Sequence, residues 1–305
     1  MGFLDSALDA TVLFSFDKNG YRRHAKRFEA ADLAVDLHDK TILITGANAG
    51  LGLAATRQLA QLGATVVMAC RDLTRGEEAR RTVTGRTELL RLDVSSRVDV
   101  KRFVAEWGSR RLDVLINNAG VLPTSRQDTS EGLELAYATN LLGSVGLTEG
   151  LLPRLREARG RVVLVSSGGM YPVKLDLEAL QGRGAKYDGV AAYAQTKRAQ
   201  VILNELWAAR EPDVTFSAMH PGWADTGGVR GSLPKFHALT SRLLRSADEG
   251  ADTITWLAAC RRLSGDSGRF WFDRAPVSTH AFPWTKEAQA DREALWALVT
   301  TLTGR

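Results

Sequence analysis

Residues 41–52 read Thr-Ile-Leu-Ile-Thr-Gly-Ala-Asn-Ala-Gly-Leu-Gly. A β-branched and apolar run (Thr41 to Thr45) stops at Gly46. Gly50 and Gly52 follow, with Asn48 and Leu51 among them, and an apolar helical pattern starts at once (Leu53, Ala54, Leu59, Ala60, Leu62). Strand, glycine turn and helix together present free backbone N–H groups and the positive end of a helix dipole to a phosphate. Glycine is needed because a β-carbon would hold a pyrophosphate off the backbone or clash in the turn. The spacing is G-x-x-x-G-x-G, where the commoner dinucleotide fingerprint has G-x-G-x-x-G.

Downstream, strand-like and helix-like stretches alternate. Strands are expected at 64–70, 87–92, 112–116, 161–165 and 214–219, with helices over 74–83, 96–107, 131–156 and 190–210. Such alternation means parallel βαβ units with right-handed crossovers, hence an α/β, Rossmann-type doubly wound sheet with helices on both faces. Polar or glycine-rich clusters follow each strand: Arg71-Asp72, Asp93-Val94, Asn117 to Gly120, Ser166 to Gly169, and His220 to Trp223. In open α/β sheets those carboxyl-end loops share the edge where ligands bind.

The 305 residues suit one large domain over 41–305, preceded by a lead over 1–40. In that lead Leu4, Leu8, Val12 and Phe16 sit four apart, which predicts a helix packed on the domain; Asp5, Asp9 and Asp17 argue against an anionic membrane surface. The net charge of +5 is dispersed, so no nucleic-acid stripe is expected. Cys70 and Cys260 are the only cysteines, giving no disulfide framework and no metal cluster, and pointing to a reducing compartment. No apolar run reaches membrane-spanning length and the amino terminus lacks a secretory pattern, so a cytoplasmic protein is expected.

Tyr193 and Lys197 lie one turn apart early in a helix. A phenol is a poor base at neutral pH, but a nearby ammonium favours the phenolate. The pair therefore makes a usable general acid/base for carbonyl–alcohol interconversion, and Ser167 could stabilise negative charge on the substrate oxygen. Arg71, first past the second strand, suits a 2′-phosphate and favours NADP(H), with NAD(H) as the other option; Ala49 in the glycine turn and the neighbouring Asp72 weigh against it.

With Thr45-Gly46-x-x-x-Gly50-x-Gly52, Asn117-Asn118-Ala119-Gly120, Asn140, Ser167, Tyr193-x-x-x-Lys197 and Pro221-Gly222 in this order, the chain resembles the short-chain dehydrogenases/reductases over about residues 40–273. The resemblance implies a nicotinamide dinucleotide and an Asn140/Ser167/Tyr193/Lys197 tetrad. In it Asn140 holds a water linked to Lys197, and Lys197 also binds the nicotinamide ribose. It further implies that Asn118, with Ala119 and Gly120, lies beside the cofactor, that Asp93 and Val94 line the adenine pocket, and that Pro221, Gly222, Ala224 and Thr226 contact the nicotinamide end. Within the family, Ser166 to Met170, Tyr193 to Arg198, Met219 to Thr226 and Asp273 to His280 resemble the subgroup called dehydrogenase/reductase SDR family member 12-like.

Met170, Tyr171, Trp223, Phe236 and His237 could wall an apolar substrate pocket or be plain core, and residues 273–280 could close the sheet or cover the substrate. His220 and His237 read as packed or solvated. The function expected is an NADP(H)-preferring oxidoreductase acting on a small apolar carbonyl or alcohol, with room for a homo-oligomer. A dinucleotide sensor or scaffold has no need of Tyr193. A nucleotide-sugar epimerase or dehydratase usually carries another glycine spacing and a larger carboxyl-terminal domain.

Overall fold

The computed structural model describes residues 15–183, 187–225, 231, 238, 240–263 and 266–303. Eight strands form one sheet in the order β3-β2-β1-β4-β5-β6-β7-β8. They are β1 (Thr41–Thr45), β2 (Thr65–Cys70), β3 (Thr87–Arg91), β4 (Val114–Asn117), β5 (Arg161–Val165), β6 (Thr215–Met219), β7 (Arg269–Phe272) and β8 (Ala275–Val277). All neighbours pair parallel except β7 and β8, which pair antiparallel. Strand order reverses between β1 and β4, and that switch point opens the ligand crevice of such sheets.

The strands read as continuous apolar runs because both faces are covered. In β5, Val162 and Leu164 turn to one core and Val163 and Val165 to the other. The first core takes side chains from α4 (Arg97–Trp107), α5 (Gly143–Ala158), α7 (Gly189–Arg210) and α9 (Gln289–Thr303). The second takes them from α2 (Gly50–Gln61), α3 (Leu73–Arg80) and α8 (Ala247–Ala259). A Rossmann-type doubly wound sheet with helices on both faces is therefore what the chain forms.

Several described elements go beyond the expected pattern: α6 (Leu177–Leu180), α8, α9 and β7. β7 is only four residues long, too short for periodicity to announce it. The stretch expected as one helix over 131–156 is helical only from 135: Glu134 bridges to Asp128, and a π-helix over Tyr137–Leu142 then runs straight into α5. The amino-terminal region contributes α1 (Lys18–Ala25), whose N-cap Asp17 accepts from Gly20 N at 2.7 Å. Leu4, Leu8 and Val12 of the expected apolar stripe lie outside the described residues. The short helix α6 lies between β5 and α7.

Candidate active site

The glycine turn is tight for a physical reason that can be read atom by atom. Gly46 and Gly50 hold φ of 64° and 51°, a region that L side chains rarely enter. A β-carbon on Gly52 would stand 2.4 Å from Gly46 O and 2.6 Å from Asn118 Nδ2. Ala49, the N-cap of α2, offers no side-chain acceptor, so the first-turn amides of α2 face the crevice uncapped by a side chain. Thr45 Oγ1 accepts from both Asn118 N and Ala119 N at 3.0 Å, and Asn118 Nδ2 donates to Thr45 O at 2.8 Å. The loop after β4 is thereby tied to the glycine turn. An uncapped helix end behind a turn with no room for side chains fits the pyrophosphate of a dinucleotide.

Arg71 stands exposed just past β2. Asp72 does not hold it: its Oδ1 accepts from Arg75 N at 3.1 Å and caps α3. The Asp93 carboxylate turns into its own loop, accepting from Ser95 N at 3.0 Å and Ser95 Oγ at 2.6 Å. Val94 abuts the start of α5, where a β-carbon on Gly143 would lie 2.2 Å from Val94 O.

Ser167 follows β5 and its Oγ accepts from Gly169 N at 3.1 Å. A β-carbon on Gly169 would lie 3.3 Å from Ser167 Oγ and 4.0 Å from Tyr193 Cε1, so the hydroxyl and the phenol ring converge on that glycine. Tyr193 sits in the second turn of α7, which Asp188 caps by accepting from Val190 N and Ala191 N at 2.9 and 3.1 Å. Burial pushes the Tyr193 phenol up, and the Ser167 hydroxyl beside it works the other way. Lys197 Nζ lies 5.6 Å from the Tyr193 ring centroid, and burial pulls its ammonium down to about 7.

Asn140 lies in the π-helix, fully buried; such bulges often sit at functional sites. Its Oδ1 accepts from Val121 N at 2.8 Å, and its Nδ2 donates to Val121 O at 2.9 Å and Thr196 Oγ1 at 3.1 Å. The backbone oxygen of Asn140 accepts from Gln200 Nε2 at 2.7 Å, while Gln200 Oε1 accepts from Lys197 Nζ at 3.1 Å. The Gln200 amide thus connects the backbone of Asn140 to Lys197. Lys197 Nζ also donates to Val165 O at 2.7 Å. Gly120 passes close by, where a β-carbon would be 3.4 Å from Asn140 Oδ1 and 3.6 Å from Lys197 Nζ.

On the substrate side the outcome is mixed. Met170 is fully enclosed in the first core and offers no wall, because the short helical turn after Ser167 rotates it inward. Tyr171 is half-buried and its hydroxyl donates to Ser278 O at 3.1 Å. Trp223 is half-buried and Ala224 buried, the latter bridging to Arg245. Pro221 O accepts from Arg245 Nη1 at 3.4 Å, and Gly222 holds φ of 70°. Thr226, Phe236 and His237 lie outside the described residues. His220 is a packed residue: its ring stacks on Phe272 at 4.1 Å, and burial drops it to about 3, so it stays neutral.

Two buried arginines, Arg198 and Arg245, brace this edge. Arg198 is fully buried and donates to Met170 O at 3.2 Å, Val173 O at 3.3 Å and Thr279 O at 2.6 Å, pinning the chain after Ser167 to the chain after β8. Arg245 forks onto Asp273 at 2.6 and 2.9 Å, and His24 Nδ1 lies 2.6 Å from the same carboxylate.

Known proteins resemble this chain over most of its length. Residues 40–235 match the model of the short chain dehydrogenase family. The human protein named dehydrogenase/reductase SDR family member 12 is 43% identical over 279 residues, covering 89% of this chain and 88% of its own. Mouse polyprenol dehydrogenase is 36% identical over 287 residues, covering 87% and 84%. A crystal structure of an uncharacterised protein from Mycobacterium paratuberculosis superposes with a TM-score of 0.72 at 35% identity, covering 90% of this chain and 97% of that one.

Proposed function

The chain belongs to the short-chain dehydrogenase/reductase family and is an NAD(P)-dependent oxidoreductase; from that premise we propose that it is an NADP(H)-preferring enzyme that interconverts an apolar ketone or aldehyde with its alcohol. The observation that carries the reading is the convergence of the Ser167 hydroxyl and the Tyr193 ring on Gly169, with Lys197 buried one turn further along α7.

When bound, the nicotinamide supplies or accepts the hydride at the substrate carbon. In reduction, Ser167 Oγ donates a hydrogen bond to the carbonyl oxygen and stabilises the charge that grows there. Tyr193 passes its phenolic proton to that oxygen as the alcohol forms, leaving a phenolate. In oxidation the same phenolate takes the alcohol proton. When protonated, Lys197 places a positive charge near the phenol and so narrows the gap between the phenol and phenolate forms. Asn140 fixes the Val121 loop and, through Gln200, the position of Lys197. Gly46, Asn48, Gly50, Leu51 and Gly52 would seat the pyrophosphate. Asp93 and Val94 would border the adenine, and Asn118, Pro221, Gly222 and Ala224 the nicotinamide side.

Preference for NADP(H) rests on Arg71, free of Asp72 because that carboxylate caps α3. An apolar substrate is favoured by the aromatic residues about the loop after β6 and by the name of the mouse relative, since a polyprenol is an apolar alcohol. Two buried, unpaired cysteines suit a reducing compartment such as the cytoplasm. No described helix is long and apolar enough to cross a membrane. The test is NADPH oxidation followed against a panel of aliphatic and aromatic ketones and aldehydes. Turnover that favours NADPH over NADH and apolar carbonyls over sugars supports the reading; a panel with no turnover by either cofactor overturns it.

A further inference from the structure

The segment before α1 reaches the catalytic edge. The Phe16 ring packs against His220 (centroids 4.6 Å apart), Phe272 (5.1 Å) and Trp223 (6.2 Å). It also lies over Gly168, the residue after Ser167: a β-carbon there would stand 2.5 Å from Phe16 Cε2. Phe16 is half-buried and so keeps part of its surface uncovered. Gly168 adjoins Gly169, on which Ser167 and Tyr193 converge.

The segment is held by buried charge. The Arg245 guanidinium, 1% exposed, donates to Ser15 O at 2.9 Å, Phe16 O at 2.9 Å and Asp17 O at 3.1 Å while forking onto Asp273. Trp223 N donates to Phe16 O at 2.8 Å, and Lys18 N to Leu243 O at 2.9 Å. Gly222 lets the two chains pass, since a β-carbon at its φ of 70° would lie 2.7 Å from Phe16 O and 2.5 Å from Arg245 Cζ. Three backbone carbonyls on one buried, carboxylate-paired guanidinium fix a short segment in place far more firmly than apolar contact alone.

We propose that Phe16 is a specificity-determining residue, an aromatic wall of the substrate pocket supplied from outside the matched family region and locked there by Arg245 and Asp273. The proposal rests on the carbonyl-reductase reading above. The wall suits a substrate with an apolar ring or chain close to the carbonyl, since Phe16 packs over Gly168, the residue after Ser167.

The experiment compares the full-length protein with its Phe16→Ala and Phe16→Leu variants on butanone and benzylacetone with NADPH. The kcat/KM ratio of benzylacetone to butanone is expected to change by about tenfold or more in Phe16→Ala, the scale at which apolar pocket contacts discriminate. It should recover most of the way in Phe16→Leu, with NADPH affinity within about twofold of wild type in both. A second readout does not depend on turnover. Cys70 and Cys260 are buried, so Phe16→Cys introduces an accessible thiol. NADPH with benzylacetone should slow its alkylation several-fold more than NADPH alone.

An unchanged ratio in folded variants of an active enzyme overturns the role of Phe16 and leaves the reductase reading standing. Equal alkylation rates with and without benzylacetone do the same. Absence of wild-type turnover overturns the reductase reading, and with it this proposal.

Discussion

Lys197 Nζ donates to Gln200 Oε1 at 3.1 Å, and the same Gln200 amide donates to the backbone oxygen of Asn140 at 2.7 Å. All three residues are buried. The glutamine thus joins the π-helix to the lysine that faces the candidate acid/base, and it is one of few acceptors for a charge deprived of water.

A first prediction follows for Gln200→Leu, which keeps volume but removes both bonds. A hydrogen bond to a charged group contributes roughly 1.5–3 kcal/mol, which is on the order of a ten- to hundredfold loss in kcat if it acts in the transition state. The pH profile of kcat should move with it, because the lysine charge becomes harder to keep. If kcat stays within about twofold and the two pH profiles overlay, Gln200 has only a packing role.

Lys197 makes the stability of the cofactor-free protein depend on pH. Its pKa falls from 10.5 when free to about 7 when folded, so between those values the unfolded chain binds the extra proton. Stability therefore rises with pH across that window, by at most about 1.4 kcal/mol per pH unit for one proton. Below about pH 7 both states are protonated and the cost of the buried charge is borne in full. Lys197→Met abolishes that cost. Melting curves should show the variant more stable than wild type at pH 7, with the difference shrinking as pH approaches 10. A difference independent of pH would mean that Lys197 keeps its proton throughout.

Arg71 bears on cofactor choice. Arg71→Ala should weaken NADPH binding by roughly ten- to a hundredfold, at about 1.4 kcal/mol per decade, and leave NADH nearly untouched. Titration calorimetry with both dinucleotides reads this directly. Equal losses for the two, or a wild type that prefers NADH, would remove Arg71 from the phosphate site.

The sequence carries much of this architecture because parallel strands buried on two faces must be apolar through their middles, as Ile42 to Ile44, Val66 to Cys70 and Val162 to Val165 are. The glycine turn is legible for an equally local reason: nothing larger than hydrogen fits at Gly52. What spacing does not reveal are contacts between residues far apart in the chain. Phe16 reads as one apolar position in a helical stripe, yet its neighbours are His220, Trp223 and Phe272. Arg245, Asp273 and His24 form one buried cluster from three separate regions. Met170, in sequence equally a pocket wall or plain core, is settled as core only by the turn after Ser167. Gln200 is one turn past Lys197 on α7, a position that becomes informative only once the π-helix brings the oxygen of Asn140 within reach.

The most direct test of the central claim is the turnover of Tyr193→Phe with NADPH and an apolar ketone, measured beside wild type. The change removes one hydroxyl and almost no volume, so folding and NADPH affinity should persist. If Tyr193 moves the proton, kcat should fall by a factor on the order of 10² to 10⁴. A Phe variant that turns over at a rate near wild type, with the same affinity for NADPH, would contradict the account.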